Sequence, residues 1–138
     1  MSYSKHLKTI LIHKWHVYRA CAKCGLHWRG IIHDLSKLSP TEFLELGKYY
    51  KEGTSPVNIA RAKNGVSKAW LHHMGHNRHH WQYWVDFLPE LTRGVAMPMD
   101  DEAIIELICD WVGAGKAYEK EKWTEARLME YCQKNNQD

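Results

Sequence analysis

No stretch of this chain alternates apolar and polar residues as a half-buried strand must, whereas apolar positions recur at helical spacing along most of its length. From about Ser4 to Cys24, Ile10, His13, Val17, Ala20 and Cys24 share one stripe, with Lys8 and Lys14 off it, and Gly25 is a natural left-handed stop. "GLHWRGIIHDLSKL" reads as a second, shorter helix carrying His33 and Asp34. In "SPTEF", Ser39 at the N-cap, Pro40 at the first helical position and Glu42 two further on form a capping box. That helix is expected to run to about Glu52, where "GTSP" breaks it, and a short segment near "VNIARAKNG" follows. A long helix is expected from about Ser67 to Phe87, although Gly75 inside it costs roughly 1 kcal/mol against Ala. "LPELTRGVAMPM" reads as an extended loop, and the stretch from Leu88 to Met99 is the natural lid. Asp100 is placed to cap the helix "DEAIIELICDWVGAGKAY"; Thr124 caps a terminal helix, with Trp123 able to staple onto Leu128.

The expectation is an all-α fold: one compact helical bundle of six or seven helices spanning residues 1–138. With 44% hydrophobic and 25% charged residues, the chain is globular rather than disordered, and 138 residues suffice for one real core. The formal charge of +3 is spread among interleaved signs, so no basic block calls for polymeric nucleic acid. The first residues lack the apolar run of a signal peptide and nothing approaches membrane-spanning length, which points to a soluble, cytoplasmic protein. Cys21 and Cys24 form a C-x-x-C continued by His27, yet the second pair of a structural zinc site is missing. All four cysteines are therefore read as free thiols.

Histidine is the outlier: ten in the chain, five of them in "LHHMGHNRHH" at residues 71–80. Metal-type ligands occur at four places assigned to four helices: His13, the doublet His33–Asp34, the histidine cluster, and Asp110 within the apolar "IIELICDW". Imidazoles suit a borderline transition ion, and a carboxylate can bridge two ions. An unpaired carboxylate in apolar surroundings would be expensive, so Asp110 needs a partner, whether an ion or a neighbouring Arg or Lys. On a continuous helix the cluster has two faces: His72, His76, His79 and Tyr83, or His73, Asn77, His80 and Trp84. The second is favoured because Asn77 can hydrogen-bond between two ligands, with His79 bordering both. Glu42 and Glu106 could each orient a ligand imidazole or relay a proton, although a solvated surface is the commoner fate of a Glu. His6, His16 and His27 are read as surface or packing residues, and Trp70, Trp81, Trp84 and Trp111 as core.

The order H…HD…D, with the doublet followed by Lys as in "HDLSK", resembles the HD-domain phosphohydrolase superfamily. The fuller pattern H…HD…H…HH…D is similar to the two-metal branch that includes the HD-GYP cyclic-dinucleotide phosphodiesterases, although the GYP segment is missing here. "LHWRGIIHDLSKLSPTEF", "AWLHHMGHNRHHWQYW" and "ELICDW" also resemble a small bacterial and phage family of unknown function, over most of residues 13–112. The resemblance implies an HD-domain-like helical fold around a metal pocket. His13, His33, Asp34 and Asp110 would hold a first divalent ion. Asp34 would bridge to a second held by His73 and His80, with His79 in reserve, and Lys37 would meet a substrate phosphate or the bridging water. Mn, Fe, Zn, Co and Ni all fit such donors, with one or two ions. Asp34 and Lys37 are then the catalytic residues of a metal-dependent phosphohydrolase acting on a small phosphate ester, a nucleotide being the leading candidate. Two rivals stand beside it: a di-iron oxygenase of the same fold, and a non-catalytic, metal-stabilised module binding a nucleotide or a protein. Oligomeric state is left open.

Overall fold

A computed structural model describes residues 3–88, 90 and 92–135. α1 (Tyr3–Lys23) is the spine, burying His6, Ile10, His13, Val17 and Cys21 along one face. It ends where Gly25 takes a φ of 77°, the left-handed stop that glycine supplies without steric cost. α2 (His27–Ile32) packs back against α1. The close approach is made at Gly30, where a Cβ would stand 3.0 Å from Cys21 and Tyr18.

His33 and Asp34 do not ride on a continuous helix as expected. The chain leaves α2 at His33, Asp34 adopts a φ of 54°, and a 3-10 turn (Leu35–Leu38) follows. Lys14 accounts for part of this break: its ammonium donates to the carbonyls of Ile31 and His33, which a longer helix would have used itself.

α3 (Pro40–Lys48) begins under the Ser39 cap, whose hydroxyl accepts from the Glu42 amide at 3.4 Å, and it stops short of Glu52. α4 (Pro56–Asn64) closes on Gly65 in the left-handed region. α5 (Lys68–His76) starts under the Ser67 cap and ends at Asn77, about ten residues earlier than its sequence pattern suggests. A 3-10 turn (Trp81–Trp84) then leads into β1 (Val85–Asp86), which pairs antiparallel with β2 (Val95–Ala96). Within the expected extended loop only Val95–Ala96 forms strand, pairing back to residues ahead of the loop, and Pro89 and Leu91 of the lid segment lie outside the described residues.

α6 (Asp101–Glu119) is capped by Asp100, which accepts from the Ala103 amide at 2.9 Å. α7 (Glu125–Asn135) is capped by Thr124. Trp123 packs on Gly115, where a Cβ would stand 2.4 Å from its ring. Seven helices and one minor hairpin among the described residues make the fold all-α in class, as the periodicity indicates. No helix among them is long and apolar enough to cross a membrane.

α1 and α6 form the main seam, with α2 on α1 and α5 on α3. The apolar cluster on this seam is small: Val17, Cys21 and Cys109, flanked by Ala20, Leu26 and Ile105. Of the seven largest fully buried side chains, five are His33, His79, Glu42, Glu106 and Asp34. Ionisable groups are rarely buried this deeply unless they are paired or hold a metal.

Candidate metal centre

α1 delivers His13, the α2 break delivers His33 and Asp34, α6 delivers Asp110, and α5 with the turn beyond it delivers His73, His79 and His80. Ligand atoms that lie within 4.8 Å of one another and could hold an ion form two four-residue groups, His13–His33–Asp34–Asp110 and Asp34–His73–His79–His80, and one small group, His33–His79–Glu106. Asp34 belongs to both four-residue groups, and its two oxygens divide the work. Oδ2 stands 3.4 Å from His13 Nε2 and 3.2 Å from His33 Nε2. Oδ1 stands 3.3 Å from His73 Nε2 and 3.5 Å from His79 Nε2. Asp110 Oδ1 completes the first group, 3.0 Å from His13 Nε2 and 3.3 Å from His33 Nε2.

These short approaches are not hydrogen bonds. His13 Nε2, His33 Nε2, Asp34 Oδ1, His79 Nε2 and His80 Nε2 are buried without a hydrogen bond among the described residues, while Asp34 Oδ2 is met by the Lys37 ammonium. Unpaired buried polar atoms each cost about 1–3 kcal/mol, so five converging on one spot fit a site whose partner is a cation. Asp34 also holds a φ that L residues seldom adopt, at roughly 1–2 kcal/mol. The strained residue is the one shared by both groups.

Two buried carboxylates set the imidazoles from behind. A carboxylate can only accept, so His33 Nδ1–H donates to Glu106 Oε1 at 2.9 Å, which turns Nε2 toward Asp34. His79 Nδ1 lies 3.3 Å from the same oxygen, and Arg29 clasps the other with Nε at 2.9 Å and Nη2 at 2.5 Å. Glu42 does likewise for α5: His73 Nδ1–H donates to Oε2 at 2.8 Å and His72 Nδ1–H to Oε1 at 2.7 Å. Metal-bound histidines almost always carry such a partner on the far nitrogen.

Burial opposes charge throughout the site but is overcome. It works against protonated His33, yet Asp34, Asp110 and Glu106 hold its pKa well above the usual imidazole value. Burial would raise Asp34, but His33, Lys37 and His73 keep it well below the carboxylate range. Glu106 is likewise held down by His33 and His79 against burial. His80 differs: burial, with His79 and His73 beside it, pushes it down to about 3, so its ring is neutral and able to ligate. Lys37 Nζ lies 2.5 Å from Asp34 Oδ2, and this ion pair raises its pKa despite burial.

The chain matches, over residues 2–138, a family of unknown function (DUF5662). It belongs to that family. No curated protein and no solved structure matches it.

In this DUF5662 chain the expected choice between two faces of one histidine helix dissolves, because the helix ends at His76. The turn after it carries His79 inward, fully buried, together with His80, while His73 enters from the helix itself. Asn77 makes the break: its side-chain amide donates to the His73 carbonyl at 2.8 Å and to Ser36 Oγ at 2.7 Å. Arg78 then pairs with Asp100, pinning the turn to the start of α6. His72 faces Glu42 and stacks on His76 at 3.9 Å, outside both groups.

The surface fate weighed for Glu42 and Glu106 is overturned, since both are buried within the site. The supports Arg29 and Ser36 carry no local signal that would have marked them. Trp70 backs the second group, 5.5 Å from His73 and 5.0 Å from His80, whereas Trp81 is exposed rather than core. His6 is a packing residue between Phe43 and Tyr50. The candidate groups among the described residues contain no cysteine.

Proposed function

We propose that this chain is a metal-dependent phosphohydrolase acting on a small phosphate ester, a nucleotide being the leading candidate. One observation carries the reading: two four-residue groups share a single buried carboxylate, with most of their inward histidine nitrogens left without hydrogen bonds. Borderline divalent ions such as Mn, Fe, Zn, Co or Ni suit this mixture of imidazole and carboxylate. When bound in pairs, such ions lower the pKa of water toward neutrality and neutralise phosphoryl oxygens.

The chain's own residues supply the rest. Asp34 offers one oxygen to each group, which sets the spacing of the two positions. His13, His33 and Asp110 define the first, and His73, His79 and His80 the second. Glu106 and Glu42 keep the far nitrogens protonated so that the lone pairs point inward. Lys37, tethered to Asp34, is the cation available to a phosphoryl oxygen.

The test measures metal per chain in natively purified protein and in Asp34→Asn, together with manganese-dependent hydrolysis of an aryl phosphate. Close to two ions in the parent, loss of both in the variant and hydrolysis only in the parent are expected. A parent that binds no divalent ion even after reconstitution overturns the reading. The second group, three imidazoles to one carboxylate, is also a donor set that suits iron among other transition ions. Iron-dependent oxygen uptake without phosphate release would assign the site to oxidative cleavage instead.

A further inference from the structure

A cleft of about 750 Å³ lies between the amino-terminal half of α1, the turn after α3 and the carboxyl-terminal end of α6. Small-molecule sites typically measure roughly 300–1,000 Å³. Thr9, Ile12, Tyr50, Ala117 and Tyr118 form its walls. Thr9 Oγ1 and Tyr50 OH are hydrogen-bonded at 2.8 Å, which ties one wall to the next. Both long helices lining the cleft continue into the first metal-type group. Thr9 stands one turn before His13 on α1, and Ala117 two turns after Asp110 on α6. Tyr118 lies within electrostatic reach of both Lys37 and Asp110.

The charge around this cleft is unbalanced. Lys5, Lys8, Lys120, Lys122 and Arg127 surround it against only Glu52 and Glu119. Each carboxylate is already engaged, Glu52 by Lys120 at 3.3 Å and Glu119 by Arg127 at 2.6 Å. Lys8 and Lys122 have no ion-pair partner among the described residues. Excess positive charge around a concave site concentrates anions there.

We infer that the cleft holds the non-reacting end of the substrate and that this end is itself anionic. The substrate class is then a phosphate ester whose remaining portion bears a second phosphate, with Lys8 and Lys122 as its counter-charges and Tyr50 and Tyr118 as walls for the body between. This rests on the phosphohydrolase reading for the reacting end; the cleft and its charge do not.

The test compares adenosine monophosphate with an adenosine bisphosphate carrying its phosphates on opposite sides of the ribose. Binding is measured by calorimetry on manganese-loaded and on chelator-treated full-length protein, and again on the double variant Lys8→Glu/Lys122→Glu. Neither lysine belongs to the metal-type groups, so metal content should match the parent, and the milder Lys8→Gln/Lys122→Gln pair guards against misfolding. The bisphosphate is expected to bind the parent about tenfold more tightly than the monophosphate. The Gln pair should narrow that preference and the Glu pair abolish it. Equal binding of the two nucleotides, or a preference untouched by charge reversal, overturns the cleft assignment. A charge-dependent preference on a protein that retains no metal and hydrolyses nothing would uphold the anion site while removing the phosphohydrolase reading.

Discussion

Glu106 takes two nitrogens of Arg29 on one oxygen and His33 on the other, with His79 3.3 Å from that same second oxygen. Glu42 takes one histidine on each oxygen, and of these only His73 belongs to a metal-type group. The two carboxylates therefore make separable predictions. Glu106→Gln removes the charge that orients His33 and lies beside His79, so ion affinity should fall about 10–100-fold at the first position and also weaken at the second. Glu42→Gln should weaken the second position alone. Titration of metal-free protein with manganese, resolving two phases, checks both; identical losses from the two variants would mean that neither carboxylate acts through the imidazole it touches. Neither residue's burial could be read locally. In "SPTEF" Glu42 serves as the polar half of a capping box, and Glu106 looks like a polar interruption of an apolar helix. Their partners lie 30 and 73 residues away.

The seam between α1 and α6 closes at Gly113, where a Cβ would stand 2.3 Å from Val17 Cγ2 and 3.1 Å from the Val17 amide nitrogen. Because the second neighbour is backbone, the helices themselves would have to separate. Gly113→Ala should cost about 1–3 kcal/mol, read as a lower thermal midpoint. It should also weaken the first metal-type group, since His13 and Asp110 each lie about one turn from the contact. A full set of metal in a destabilised variant would show that the seam does not set the His13–Asp110 spacing. Helix starts were legible because their signals are local: Ser39, Asp100 and Thr124 cap where expected, and α5 starts at Lys68, next to the expected start at about Ser67. The end of α5 was not. Gly75 lies within the helix, and the break falls at Asn77, whose amide reaches Ser36 across the fold. His73, His79 and His80 nevertheless share a candidate group with Asp34, because the ligand types and their order along the chain do not depend on whether His79 and His80 sit on a helix or a turn.

An interior whose largest fully buried side chains are mostly ionisable, around a small apolar cluster, makes the stability of the molecule depend on what satisfies those groups. A ligand that binds only the folded chain stabilises it by mass action, about 2.7 kcal/mol at a hundredfold excess over its dissociation constant. In a chain of this size 1 kcal/mol corresponds to roughly 2–4 °C, so saturating manganese or zinc should raise the unfolding midpoint by roughly 5–10 °C over chelator-treated protein. The effect must depend on pH with a definite sign. Ligand imidazoles have to be neutral, so binding the ion displaces protons, and the metal-bound fold carries fewer of them than the metal-free one. His33 holds its proton well above the ordinary imidazole range, so stabilisation by metal should be largest at alkaline pH and shrink as pH falls through and below neutrality. Scanning calorimetry at about pH 7.5, 6.5 and 5.5, with manganese and with chelator, should show two midpoints converging toward the acid end. A gap of constant size across that range would mean that the ion binds through carboxylates alone. No gap at any pH would leave the buried histidines without the cation that their geometry calls for.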